Sequence, residues 1–312
     1  LNLARLKYRD TPFFMEVSSV ATQYSLSTSA NASTTLEKGV NGLFGLGGSV
    51  GMVERPTVTY SPLQGDQFIQ RFLSPLPLKN ITLLYHSGWS IERIFQLCFQ
   101  RMNNLKNAPG ASGPTPKKEP QFKKFLQTIK YLRELQSQDV LNLSYKNKNE
   151  SPQIILHITN GGKNLEAAQK FARILNVEPG REQYVISFSP KQNELGQIRV
   201  VTRSLLGVLF YLSQGVEAPE QDVKEGKVTR TLKKSGEVFD WKEVTGDLLR
   251  VRSKSNRPDN ATLRVFYRGT WFFIQDSDLK SKSTFSLLSQ IFSLQAGKIK
   301  DTTPLLTLPV GQ

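Results

Sequence analysis

The segment 261–296 constrains the fold more than any other stretch of this chain, because the spacing of its apolar residues changes from two to three or four. In its first part Leu263, Val265 and Tyr267 alternate with Arg, Phe and Arg, which is the two-residue period of a strand with one buried face. A glycine supplies the turn after this strand. The run 271–275 is almost entirely aromatic or β-branched, so it is predicted to be a central strand that is covered on both faces or nearly so.

An amphipathic helix is predicted to follow this hairpin. The turn 276–278 offers side chains that accept hydrogen bonds from free amides at a helix start, so the helix begins there or by Ser283. The apolar residues of the helix recur at helical spacing and form a stripe that packs on the sheet: Phe285, Leu288, Ile291 and Phe292. Burying these side chains at about 2 kcal/mol each stabilises the unit by about 8 kcal/mol before the loss of chain entropy.

The same periodicities place the other elements. The predicted helices are 1–8, 66–73, 91–105, 122–135, 164–175 and 204–212. The predicted strands are 13–26, 52–60, 140–145, 153–159, 184–189, 196–201 and 249–252, the last of which joins the C-terminal hairpin. Two pairs are predicted to be antiparallel hairpins, namely 13–26 with 52–60 and 184–189 with 196–201. Residues 218–242 are charged and weakly patterned, which indicates a long loop.

These elements predict an α+β fold, with antiparallel sheets, helices packed on one side of them, and two lobes. At 312 residues the chain is long enough for two domains of ordinary size. Residues 107–120 are rich in Pro, Gly, Ser and Lys without apolar periodicity, which predicts a linker or an exposed loop. The predicted lobes are therefore an N-terminal α+β lobe at 1–106 and a C-terminal α+β lobe at 121–312.

Two motifs resemble those of a known family. They are YRGTWFFIQDSDLKSKSTFSLLSQIFSLQ at 267–295 and VERPTVTYSPLQGDQFIQRFLSPLPL at 53–78. Both are similar to a family of uncharacterised exported proteins of Proteobacteria, closest in character to its Legionella members. The resemblance implies export, as a lipoprotein-like envelope protein or a type II secreted protein related to virulence. Since the family has no established activity, the resemblance supplies no catalytic residues.

Other features of the sequence bear on the cellular compartment of the protein. The chain begins at Leu1 and not at Met, which fits a leader that was cleaved or left out, and equally a trimmed cytosolic protein. Its single cysteine, Cys98, excludes an intramolecular disulfide and a multi-thiolate metal cluster, and its apolar surroundings favour a buried structural role. No run approaches eighteen continuous apolar residues, so no integral membrane segment is predicted. We expect a secreted protein, or one of the outer membrane or periplasm.

The formal net charge of +15 favours attraction to polyanions, although the same charge also fits a merely solvated surface. The predicted polyanion-binding residues, which can share one sheet face beside Trp271 and Tyr267, are Arg250, Arg252, Arg264 and Arg268. Arginine stacked with aromatic rings suits single-stranded nucleic acid. The family resemblance instead favours a protein or an anionic envelope or host-surface component as partner, and makes nucleic acid the less favoured partner.

Residues for catalysis are sparse. The sequence has only two histidines, which exclude a three-histidine zinc site, and it contains neither an H-E-x-x-H nor a G-x-S-x-G motif. A dinucleotide loop needs a preceding apolar strand, a helix that starts within the glycines and an acid about 20 residues on, whereas residues 54–56 and a strand follow the glycine-rich stretch 39–51. This stretch is therefore predicted to be a mobile loop or the loop at the tip of a hairpin, and no cofactor is predicted. The residues of a possible cleft are Glu54, Arg55, Asp66 and His157. A structural role, in which an acid holds Arg55 and His157 is satisfied locally, fits them as well.

Three hypotheses of function follow from the sequence. The first is a non-enzymatic exported protein that acts as an envelope-associated or secreted interaction module. The second is a secreted hydrolase with a cleft near His157 or Glu54. The third is a polyanion or nucleic-acid binder. No catalytic residue, metal ligand or cofactor-binding residue is assigned.

Overall fold

The C-terminal hairpin forms as its alternation predicts. The structure, a computed structural model, describes residues 1–34, 44–62, 66–114, 116–148, 151–189 and 196–296, with the backbone alone for 15–34, 44–62 and 148. Strand Ala261–Tyr267 pairs antiparallel with strand Thr270–Gln275. Arg268 (φ 50°) and Gly269 (φ 75°) form the two-residue turn, and this left-handed backbone matches the twist of the paired strands.

Helices and strands together give an α+β fold, which confirms the predicted class. The helices are α1 (Asn2–Lys7), α2 (Asp66–Leu73), α3 (Leu78–His86), α4 (Ile91–Cys98), α5 (Lys123–Ser137), α6 (Glu166–Leu175), α7 (Leu205–Ser213), α8 (Glu220–Lys224), α9 (Lys242–Thr245) and α10 (Leu279–Ala296). The strands are β1 (Met15–Thr34), β2 (Phe44–Pro62), β3 (Phe99–Met102), β4 (Leu105–Lys106), β5 (Leu141–Lys148), β6 (Ser151–Ile158), β7 (Gln183–Ser187), β8 (Gln197–Thr202), β9 (Arg252–Lys254), β10 (Ala261–Tyr267) and β11 (Thr270–Gln275).

The chain divides into two compact units. Unit 1 comprises Leu1–Pro12 and Gly65–Gly297, and unit 2 comprises Phe13–Gln64 and Lys298–Gln312. The segment 107–120, which the sequence marks as a linker or exposed loop between lobes, lies within unit 1. Several of its residues are fully buried, among them Asn107, Ala108 and Ala111.

Unit 1 contains a six-stranded mixed sheet in the order β4-β3-β8-β7-β6-β5. One face is buried and largely apolar, with Leu143, Leu156 and Tyr184 in register across it, and α3 packs against β5 and β6. The predicted hairpin of β7 with β8 is wrong, because these strands are parallel neighbours, with Ile186 opposite Ile198. All other neighbouring pairs in this sheet are antiparallel.

A three-stranded antiparallel sheet in the order β10-β11-β9 completes unit 1. Strand β11 is central, as predicted. A further strand joins the hairpin, as predicted, but it is Arg252–Lys254 and shares only Arg252 with the predicted strand 249–252. The prediction that β11 is covered on both faces, or nearly so, is confirmed for one face only. Phe272 and Ile274 are buried at 1% and 3% exposure, whereas Trp271 and Phe273 between them are partly exposed. Burial therefore alternates along the apolar run 271–274, and one face of the sheet is partly exposed to solvent.

Helix α10 begins as predicted, since Asp278 Oδ1 accepts a hydrogen bond from the Ser281 amide at 3.0 Å. Its predicted apolar stripe is partly wrong: Leu288 and Ile291 are buried, but Phe285 and Phe292 are partly exposed. The helix lies against α2 and α7, whereas the sequence predicts packing on the sheet.

Three further predictions of secondary structure need correction. The helix predicted at 91–105 ends at Cys98, and the chain continues into β3 and β4. Helix α3 was not predicted from the sequence. The predicted long loop 218–242 contains α8 and the start of α9.

Unit 2 consists, in its described residues, of β1 paired antiparallel with β2. The predicted hairpin is confirmed, but both strands are longer than predicted, because the pairing continues to Thr34 opposite Phe44. Most of the glycine-rich stretch 39–51 therefore belongs to β2, whereas the sequence predicts a loop. Residues 39–43 lie outside the described part of the chain.

Candidate polyanion-binding surface

Basic and aromatic residues share the open face of the three-stranded sheet. In the register of the sheet, Phe273 lies between Arg264 of β10 and Arg252 of β9. The next row of the same face places Trp271 between a phenylalanine and a lysine. We call this surface the aromatic-basic face, and its residues are Arg252, Lys254, Arg264, Phe266, Trp271 and Phe273.

The aromatic rings of this face are accessible to a partner. Phe266 is 55% exposed, an unusual fraction for a phenylalanine, and its ring centroid lies 5.2 Å from that of Trp271. The opposite face is directed inward in the central strand β11, where Phe272 lies 6.2 Å from the ring of Tyr8. On β10 the predicted burial of this face is wrong for Leu263, which is 39% exposed. Burial of that face fixes the register of the strands. With this register, the aromatic side chains of the aromatic-basic face point to solvent.

The basic residues of the face are held by neutral acceptors. Arg252 Nη1 donates to Gln275 Oε1 at 2.7 Å, and Arg264 Nη1 donates to the carbonyl oxygen of Pro258 at 2.9 Å. Arg257, beside the face, places its guanidinium carbon 6.0 Å from the centroid of the Trp271 ring. Within the described residues none of these three guanidinium groups forms an ion pair, so their charges remain available to an anion.

The local charge is strongly positive. Between residues 252 and 275 the sequence has five basic residues and one acidic residue, Asp259. Guanidinium groups present donors in a planar fork that matches carboxylate, sulfate or phosphate oxygens. A face with both aromatic rings and such cations can bind an anionic polymer whose repeating units also have rings.

Two of the four predicted polyanion-binding arginines lie elsewhere, which corrects the prediction of one shared face. Arg250 precedes β9, and its Nε donates to Glu217 Oε1 at 2.7 Å. Arg268 occupies the hairpin turn, pairs with Asp10 at 3.2 Å, and lies 4.8 Å above the ring of Tyr8. Tyr267 points to the opposite face, where its hydroxyl donates to Asp10. That hydrogen bond is the main cause of a lowered pKa of the Asp10 carboxyl.

The residues of the predicted cleft are divided between the two units. Glu54 and Arg55 lie on β2 in unit 2, opposite Tyr24 and Gln23, and their side chains are outside the described part. Asp66 is the exposed first residue of α2 in unit 1. The predicted contact of Arg55 with Glu54 or Asp66 therefore stays a prediction.

His157 lies on the polar face of the six-stranded sheet. Its Nε2 is 2.8 Å from the hydroxyl oxygen of Ser144, on the neighbouring strand. It also lines a shallow cleft of about 160 Å³ together with Asp139 and Glu182. Ser144 does not line this cleft, and among the described residues no group bonds to the other ring nitrogen of His157. The arrangement is a serine-imidazole pair without the third, orienting group of a triad.

Other sources of chemistry are absent from the part of the chain that is described. Cys98 is fully buried, which confirms its predicted burial, and burial raises the pKa of its thiol to about 12. No cluster of three or more His, Cys, Asp or Glu side chains there is arranged to bind a metal ion. Of the described helices, none combines the length and the apolar character needed to span a bilayer.

Sequence reasoning missed three members of this surface, namely Lys254, Phe266 and Phe273, and it missed Arg257 beside the surface. Their signal was present, since Arg264 and Phe266 alternate with Leu263, Val265 and Tyr267. The register of β9 against β11 could not be predicted from the sequence, because no turn connects those two strands directly.

Comparison of the chain with family models, with curated proteins and with solved structures finds no match.

Proposed function

We propose that the protein is a non-enzymatic interaction module that binds an acidic polysaccharide of the cell envelope or of a host surface through the aromatic-basic face. The observation that supports the proposal is the exposed row of Phe266 and Trp271 beside Arg252 and Arg264. Pyranose rings pack their apolar C–H faces on aromatic side chains, and acidic substituents on the sugars bind guanidinium groups bidentately.

Single-stranded nucleic acid is the main competing polymer. Bases stack on exposed aromatic side chains, and phosphates bind the same basic residues. The proposal favours a polysaccharide because the two sequence motifs resemble those of exported proteins, outside the compartment where most nucleic acid resides. The two polymers can be compared directly in one assay.

The test is fluorescence anisotropy with two labelled probes, a heparin oligosaccharide and an oligothymidylate of similar length. We expect Phe266→Ala to weaken binding of the oligosaccharide by about tenfold, the loss of one stacking contact. Leu279→Ala is the matched control, because Leu279 is also an exposed apolar residue, at 69%, but lies at the start of α10. Equal affinity of the wild type and Phe266→Ala would refute the proposed surface. Tighter binding of oligothymidylate than of heparin would replace the polysaccharide with nucleic acid.

Export is part of the proposal. The charge of the chain, its single cysteine and the resemblance of its motifs support a secreted, outer-membrane or periplasmic location. Fractionation of cells that express the full-length gene, followed by immunoblotting, is expected to recover the protein from the medium or the envelope. Recovery from the cytosol alone would overturn this part of the proposal.

Hydrolysis is a second candidate function, favoured by the 2.8 Å contact between Ser144 Oγ and His157 Nε2. If the pair is catalytic, Ser144→Ala and His157→Ala each abolish turnover on a panel of ester substrates. His86→Ala is the control, since His86 is exposed on α3 and distant in sequence from the pair. No turnover by the wild-type protein on any substrate of the panel would exclude this candidate.

A further inference from the structure

A second site is suggested by a cleft of about 190 Å³ in unit 1. Its walls come from two segments that are far apart in sequence, the C-terminal end of α1 and the stretch 214–250. It shares no residue with the aromatic-basic face. Its charged lining residues are Lys7, Glu217, Arg230, Asp240, Lys242 and Arg250.

Specific hydrogen bonds hold α1 against this stretch. The hydroxyl of Tyr8 donates to Asp222 Oδ2 at 2.5 Å, and burial together with this carboxylate raises the pKa of the tyrosine. Arg9 Nε donates to Thr229 Oγ1 at 2.8 Å. Because both contacts follow directly after Lys7, they fix the position of that residue at the wall of the cleft.

Lys7 and Arg230 are uncommitted cations. Neither residue forms an ion pair or a side-chain hydrogen bond within the described structure, although both line the cleft. Lys7 is partly buried, and loss of hydration lowers the pKa of its amine to about 8. An ammonium group in this setting gains from any anion that replaces the lost water.

The two acids of the cleft already have partners, an ion pair in one case and a hydrogen bond in the other. Glu217 Oε1 accepts from Arg250 Nε at 2.7 Å and lies 3.5 Å from Lys242 Nζ. Asp240 Oδ1 accepts from the backbone amide of Lys242 at 2.9 Å. The four basic lining residues outnumber these two acids, so the cleft has an excess of positive charge.

The rest of the wall is apolar. Phe239 and Trp241 pack edge to face with ring centroids 5.3 Å apart, and the indole N–H is bonded to Thr231 Oγ1 at 3.0 Å. Val228 and Leu249 extend this wall. Apolar walls with a few convergent charged groups are typical of sites for small molecules.

We propose that this cleft binds a small organic anion, a carboxylate with an apolar body, whose charged end is held by Lys7 and Arg230 and whose body packs on Phe239 and Trp241. The site is independent of the polysaccharide surface. Either site can therefore fail in experiment without affecting the other.

The probe is phenylacetate, measured by isothermal titration calorimetry at about pH 7, with phenylacetamide as the uncharged isostere. Lys7→Met is expected to weaken binding by about tenfold, because it removes the charge and keeps the stem. Lys7→Arg should retain most of the affinity. Lys79→Met is the matched control, since Lys79 is exposed on α3 and does not line the cleft. Circular dichroism verifies that each variant is folded.

The pH dependence gives a second readout that a purely structural role of Lys7 would not produce. Phenylacetate stays ionised from about pH 7 to about pH 9, whereas Lys7 loses its charge as the pH rises through about 8. The affinity of the wild type should therefore fall over this range, and that of Lys7→Arg should not. The proposal is overturned if phenylacetate does not bind at millimolar concentration, if phenylacetamide binds as tightly, or if Lys7→Met leaves the affinity unchanged.

Discussion

Substitution of Arg203 by methionine tests what holds the centre of unit 1 together. Arg203 follows β8 and is fully buried without an acidic partner among the described residues. Its guanidinium donates to backbone carbonyls at the end of α4 and in the segment after β4, and it lies 3.9 Å from the ring centroid of Tyr211. The carbonyl acceptors, at 2.6 to 2.9 Å, are those of Gln96, Leu97, Phe99 and Asn107. Burial lowers the pKa of Arg203 to about 10, so the group remains charged at neutral pH.

The expected loss of stability is a difference between opposing effects. Asn107 Nδ2 continues to donate to Gln96 O and Phe99 O in the variant, each at 2.8 Å. The carbonyls of Leu97 and Asn107 lose a donor, which costs about 1–3 kcal/mol for each buried group. Loss of the contact with Tyr211 adds about 2 kcal/mol. Because methionine also removes a desolvated charge, part of this cost is offset, and we expect a net loss of about 3 kcal/mol.

The assay is urea denaturation of the full-length protein, monitored by circular dichroism. Arg199→Met is the matched control, since Arg199 lies on β8, the strand that directly precedes Arg203, and is exposed. We expect the control to change the free energy of unfolding by less than about 0.5 kcal/mol. A loss below about 1 kcal/mol in Arg203→Met would refute the reasoning, because methionine packing would then replace the whole network.

Two further predictions concern single buried groups. Hydrogen bonding from Tyr8 and from Lys227 lowers the pKa of Asp222, so this carboxylate stabilises the fold above the pKa of an unfolded aspartate, and the stability is lost as the pH falls through the lower, folded pKa. As the pH is lowered, the free energy of unfolding should therefore decrease less steeply in Asp222→Asn than in the wild type. Equal slopes of the free energy of unfolding against pH would contradict this role of Asp222. Cys98, with its pKa raised to about 12 by burial, should react with a thiol reagent only in denaturant. Rapid modification in native buffer would show that α4 opens to solvent.

Elements with a clear period and a local stop signal were predictable from the sequence. The hairpin of β10 and β11 follows from alternation around Arg268 and Gly269, and α10 begins where Asp278 accepts the amide of Ser281. The α+β class follows from the same patterns. In each case the interactions that define the element lie within a few residues along the chain.

Elements whose bounds depend on distant residues were not predictable. The end of α4 at Cys98 is stabilised by Arg203, which donates to carbonyls of the last turn from more than a hundred residues away. Strands β7 and β8 pair in parallel within the six-stranded sheet, whereas their short separation in sequence favours an antiparallel hairpin. Helix α3 was not predicted, because a proline usually stops a helical pattern, whereas Pro77 is the N-cap residue of α3.

Two of the four arginines predicted to bind a polyanion lie on the candidate surface. Arg252 and Arg264 were identified from the sequence, and both lie on the aromatic-basic face. The position of Arg250 depends on its bond to Glu217, and that of Arg268 on its pair with Asp10. Both acids belong to segments that are remote from the hairpin, so no local pattern in the sequence indicates these contacts.

The dependence of binding on salt concentration tests the central claim most directly. If the face binds a polyanion through Arg252, Lys254, Arg257 and Arg264, the logarithm of the affinity should fall linearly with the logarithm of the salt concentration. Because the slope is proportional to the number of neutralised charges, Arg264→Ala should reduce it by about a quarter. A slope that does not differ between wild type and Arg264→Ala, measured with the heparin oligosaccharide, would contradict the account.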